Sequence, residues 1–114
     1  MTAISVAGMP VGAAIHLAEA AQAIPRLVRS GTIGRAAAVA LLAIASVEAS
    51  SPDSICECSQ AELAAMAGTG QSYIASSVLP QLEEAGLIIR CRHAGRDACL
   101  TNPERIRAAG WGDL

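Results

Sequence analysis

Two groups of residues have the types and spacing to do chemistry. Gln71, Ser72, Tyr73, Ser76 and Ser77 place amide and hydroxyl groups at helical spacing. Such groups donate to and accept from base edges and phosphate oxygens. Arg90, Arg92, His93 and Arg96 gather cationic and titratable side chains within one short stretch, where each Arg has the charge to neutralise a phosphate. Arg90 and Arg92 lie two apart and would share one face of a strand. The cysteines Cys56, Cys58, Cys91 and Cys99 invite zinc or redox chemistry. Their C-x-C and C-x₇-C spacings differ from the C-x₂₋₄-C of structural zinc sites. Small buried thiols, with no metal and no other cofactor, are therefore the expectation. His16 lies on a helix with one apolar side and reads as packed or solvated. No Ser/His/Asp set, carboxylate pair or phosphate loop stands in a recognisable spacing, so no enzyme is expected.

The elements that position these groups follow from composition and periodicity. The length of 114 residues suits one domain. Phe is absent and Trp and Tyr occur once each, so the core is aliphatic and suits close-packed helices. All eight basic residues are Arg and the net charge is −2. That excludes a histone-like polycation and leaves room for a local basic patch. The longest apolar run, residues 36–45, is about half of a membrane span and reads as a buried helix; no membrane partner is expected. Residues 1–5 carry no cationic side chain, so no secretory signal is expected. A cytoplasmic location with reduced thiols follows as the expectation.

Along the chain, residues 1–12 read as a loose arm. Helical spacing predicts a first helix over 13–29, bent or divided at Pro25 and closed by Ser30-Gly31. Thr32 is expected to cap a central helix reaching about Ala49. Ala49 to Asp53 is a turn cluster, and Ile55 to Cys58 has the makings of a short strand. Ser59-Gln60-Ala61-Glu62 has the form of a capping box. The helix it opens is expected to turn Leu63 and Met66 inward and to stop at Gly68. After a tight turn, a helix over 71–85 puts Ile74, Val78, Leu79 and Leu82 on one face. Pro80 should bend it. That leaves Gln71, Ser72, Tyr73, Ser76, Ser77 and also Gln81 facing out. Strands over 87–92 and 97–101 flank a turn at His93 to Arg96. Asn102-Pro103-Glu104 starts a last short helix, and 110–114 is a tail.

The order of these elements is that of a winged helix-turn-helix, and the residues themselves resemble that family. Ser59 to Ala64 reads S-x-x-E-L-A, and Leu79 to Ile88 reads L-x-x-L-E-x-A-G-L-I. Both patterns are similar to winged-helix regulators of bacteria and archaea, including the MarR type, and Gln71-Ser72-Tyr73-Ile74 with Asn102-Pro103-Glu104-Arg105-Ile106 resembles regulators of the Rrf2 type. Cys56-Glu57-Cys58 resembles the Cys-x-Cys of ArsR-type metal sensors, although it stands about three residues farther from the following helices. Residues 34–87 also resemble the N-terminal module of plasmid and phage replication proteins. The resemblance implies a mainly α fold with a small β-hairpin: a three-helix core, a wing over 87–101, a helix-turn-helix over 59–86 and an extra N-terminal helix. It implies double-stranded DNA as partner, with helix 71–85 in the major groove and the wing arginines on phosphates. A homodimer through residues 13–31 is the expected assembly of this transcriptional regulator. A protein–protein module on the same frame, or a replication or plasmid-maintenance component, is the alternative.

Overall fold

The computed structural model describes residues 11–50, 56, 57, 59–93 and 95–111. Helix α1 spans Val11–Arg29 and α2 spans Arg35–Ser50. The short α3, Gln60–Ala67, is followed by a helical segment in three parts: α4 over Gln71–Tyr73, a π-helical turn over Ile74–Val78, and α5 over Leu79–Glu84. Strands β1, Ile88–His93, and β2, Arg96–Thr101, form an antiparallel hairpin, and α6 spans Pro103–Trp111. The described residues are thus mainly helical, with one small sheet. Cys56 pairs with Cys99 across the far side of β2, so β2 lies between β1 and the chain that leads into α3.

The core is aliphatic, as the composition requires. Leu41 and Ile44 of α2 meet Leu63, Ile74, Leu82, Leu87 and Ile106, all fully buried. Each such side chain contributes roughly 2 kcal/mol or more by leaving water. Helix α2 is central but not buried on every side, because Val39 and Leu42 remain exposed. Helix α1 turns Ala20, Ala23 and Leu27 inward and packs Leu17, Ile24 and Val28 against the core. Arg107 of α6 grips Glu19 of α1 through Nε and Nη2 at 2.7 and 3.2 Å. That contact raises the Arg107 pKa above its ordinary value. No helix among the described residues is long and apolar enough to cross a membrane.

Several expectations are corrected by this packing. Helix α1 begins at Val11 and passes through Pro25 unbroken. Pro25 is exposed, on the side where solvent satisfies the carbonyl that loses its donor. Thr32 does not cap α2. Its hydroxyl pairs with Ser30 at 2.8 Å, and α2 begins after Gly34. The Gly34 N–H instead donates to Gln81 Oε1 at 2.7 Å, an end-capping contact supplied from a distant helix. Met66 is exposed, and Ala64 takes the buried position beside Leu63. The last helix continues to Trp111, so the tail begins later than the sequence suggests. Residues 1–10 of the expected arm, residues 51–55, Cys58, Ala94 of the expected turn and residues 112–114 of the expected tail lie outside the described residues, as do the side chains of His16 and His93.

Candidate nucleic-acid interface

The local folding of the site begins at Ser59. Its hydroxyl accepts from the Glu62 N–H at 3.1 Å, and its own N–H donates to the Glu62 carboxylate at 3.0 Å. This reciprocal box fixes the start of α3. The Ser59 backbone N–H and then its side chain hold the Glu62 carboxyl below the ordinary carboxylate range, with Arg96 adding a weaker pull. Gly68 closes α3 in the left-handed region at φ 70°, where a Cβ would be strained. The chain thus turns sharply at 68–70 and enters α4 with its first residues in solvent.

Proline sets the shape of the next segment. Pro80 has no N–H to give, and the helix widens by one residue ahead of it. The Leu79 N–H reaches back five residues to the Ile74 carbonyl. The extra residue keeps Ile74, Val78, Leu79 and Leu82 all buried, the inward face read from the sequence. Ahead of Pro80 the helix therefore carries a π turn over Ile74–Val78. Gln71, Ser72, Tyr73 and Ser76 are exposed, with Tyr73 at 49%. Ser77, within the widened turn, is half-buried rather than open. Gln81 is corrected: its amide is spent on Gly34 and does not belong to the outward face.

The hairpin supplies the charge. Register pairs Arg90 with Cys99 and Arg92 with Asp97, so Arg90 and Arg92 do share a strand face. Gly95 makes the turn at φ 78°. Arg90, Arg92 and Arg96 line a cleft of about 560 Å³ together with Gln60 of α3 and Gln71 of α4, over a floor that includes Leu63 and Leu79. The polar start of α4 and the hairpin arginines therefore face one concavity. Two carboxylates, Glu57 and Asp97, stand on its wall. Arg90 Nη1 lies 3.6 Å from Glu83, and Arg92 Nη1 lies 3.2 Å from Asp97. The second Arg92 nitrogen, Nη2, donates to the Gly95 carbonyl.

No family model matches this chain, and no curated protein or solved structure matches it. The site is thus defined by its geometry alone.

The carboxylate partners are what reading for arginines missed. Asp97 had a signal, since the turn expected at His93 to Arg96 sets Arg92 opposite Asp97, as the register has it. Glu83 had none, because its approach to Arg90 depends on how α5 packs beside β1. Of the cysteines, Cys56 and Cys99 are buried and Cys91 is half-buried. Among the described residues no group of three or more His, Cys, Asp or Glu side chains is placed to hold a metal ion.

Proposed function

We propose that the chain is a winged helix-turn-helix that binds double-stranded DNA as a small transcriptional regulator. The observation that carries this reading is the shared cleft: exposed Gln71 at the start of α4 faces the same concavity as Arg90, Arg92 and Arg96. A helix entered through a tight turn fits the major groove, and a hairpin beside it reaches the flanking backbone. Gln71, Ser72, Tyr73 and Ser76 would meet base edges or phosphates, with Ser77 at the margin. Arg96, Arg92 and Arg90, with His93 near the turn, would meet phosphates. The order of Cys56 beside β2 beside β1 supports the same fold. The role is one of binding rather than catalysis, and the setting is the cytoplasm.

Two copies are proposed, because one module reads few bases and two-fold pairing doubles the contact. In α1 the residues Leu17 and Ile24 pack against the chain's own core. The outward residues Ala18, Ala21 and Gln22 therefore form the surface to test. Ala21→Glu should halve the mass seen by sedimentation while leaving the fold intact. A second reading, a protein–protein module, is favoured by the pairing of Arg90 and Arg92 with acids. Replication and plasmid maintenance use the same physics as transcription control.

Selection from random duplex DNA, followed by sequencing, tests the reading. An enriched palindrome is the expected result. No enrichment even at low salt would overturn it in favour of the protein-binding module.

A further inference from the structure

The hairpin cations differ in how they are held. Arg90 and Arg92 each face a carboxylate, at 3.6 and 3.2 Å. Arg96 forms no ion pair among the described residues; its charge acts on Glu62, whose carboxylate is committed to the Ser59 N–H. We propose that Glu83 and Asp97 occupy the phosphate seats of Arg90 and Arg92 in the unbound chain, so that this face restrains its own affinity and Arg96 makes the first contact. The inference rests on the DNA-binding reading and specifies how that site is tuned.

The chemistry is an exchange of anions. A carboxylate and a phosphate offer an arginine fork the same pair of acceptor oxygens. Both internal pairs are exposed: the Arg92 and Asp97 side chains are 68% and 76% accessible, and those of Arg90 and Glu83 are 38% and 44%. Pairs this wet are weak and break readily when a stronger anion arrives. They still cost the incoming phosphate a competitor, and the displaced carboxylate stays nearby as a like charge. Asp97 is especially placed to do this, since it is the cross-strand partner of Arg92. The Gly95 carbonyl holds the other side of the same guanidinium. Glu84, exposed next to Glu83 and in no ion pair among the described residues, has the same charge without the contact.

The test is binding of a random-sequence duplex of about two helical turns, followed by fluorescence anisotropy at low salt. The proteins are the full chain and its Glu83→Gln, Asp97→Asn, Glu84→Gln, Arg92→Ala and Arg92→Ala/Asp97→Asn variants. Asp97→Asn and Glu83→Gln should each tighten binding about two- to fivefold, the range an exposed pair allows. Glu84→Gln should change it less. With Arg92 already removed, the gain from Asp97→Asn should vanish. A gain that persists without Arg92, or that Glu84→Gln equals, would show a general charge effect and overturn the proposal. Binding by the unaltered chain with no gain in either variant overturns it too and leaves the DNA reading standing. If none of these proteins binds the duplex, the DNA reading itself fails and the proposal falls with it.

Discussion

Each end of the hairpin is held by a carboxylate, with different donors and in opposite surroundings. At its base, the Glu48 carboxylate of α2 accepts from the Thr101 N–H at 2.8 Å and from the Thr101 hydroxyl. Glu48 and Thr101 are 8% and 5% exposed. Near its tip, the Asp97 carboxylate accepts from Arg92 at 3.2 Å in open solvent. The tip pair has the larger formal charges, but the base pair holds the structure. Water competes for every donor at the tip and for few at the base, and that difference decides the energy. The base therefore fixes the hairpin to the body, while the tip stays available for exchange.

The largest effect should come from breaking the base. Glu48→Ala leaves the Thr101 N–H and hydroxyl buried without this acceptor and opens a small void. A loss of about 3 kcal/mol is expected, read as a lower urea midpoint at an unchanged slope. Glu48→Gln keeps one carbonyl acceptor and should cost roughly half as much. If Glu48→Ala proved no more harmful than Asp97→Asn, burial would not be what separates the two ends.

Next in size is the start of α3, which lies between these extremes: exposed, but held by a reciprocal pair of bonds. Ser59→Ala removes the cap and should cost about 1 kcal/mol. The same box predicts a pH dependence. The folded-state pKa of Glu62 lies below its ordinary value, chiefly through the Ser59 backbone N–H. The unfolded chain therefore takes up this proton first as pH falls. The stabilisation is complete above the ordinary carboxylate pKa of about 4.3 and is lost as pH drops through the lower folded value. Denaturation midpoints measured from about pH 6 down to about pH 3 should fall less steeply in Glu62→Gln than in the unaltered chain. Equal slopes would mean that the box is not formed in solution.

What was legible in the sequence follows the range of each interaction. Ser59 and Glu62 lie three residues apart, and Gly68 and Asn102 act on their nearest turn, so local chemistry revealed them. Arg105 N–H does bond to Asn102 Oδ1, at 3.3 Å. The inward face at Ile74, Val78, Leu79 and Leu82 was legible because those positions obey a helical period. Glu48 was not, since its partner lies 53 residues away and a lone acid in an apolar helix has no periodic signature. Gln81 looked outward by spacing, yet the approach of α2 recruited it for the Gly34 N–H. Met66 had the hydrophobicity for the core and found no neighbour there, because the smaller Ala64 fills the contact. For the candidate site, residue types were readable, and the facing of Arg92 and Asp97 followed from the hairpin turn. The pair of Arg90 with Glu83 was not readable, because it depends on how the hairpin lies against α5.

The smallest effect on stability should come from the tip itself. Asp97→Asn keeps an acceptor opposite Arg92 and removes only the charge, and both side chains are largely in water. The change in unfolding free energy should stay within about 0.5 kcal/mol, and it should shrink further in high salt. Arg92→Ala should behave alike, apart from the lost contact to the Gly95 carbonyl. The measurement is paired with Glu48→Ala in the same urea titration, at low and at high salt. A buried contact keeps its effect in salt, while an exposed ion pair gives it up. If Asp97→Asn destabilised the chain by as much as Ser59→Ala, and salt did not relieve the loss, the tip pair would be a structural clamp. Its carboxylate could then not yield to a phosphate at small cost, and the contrast between the fixed base and the exchangeable tip would be wrong.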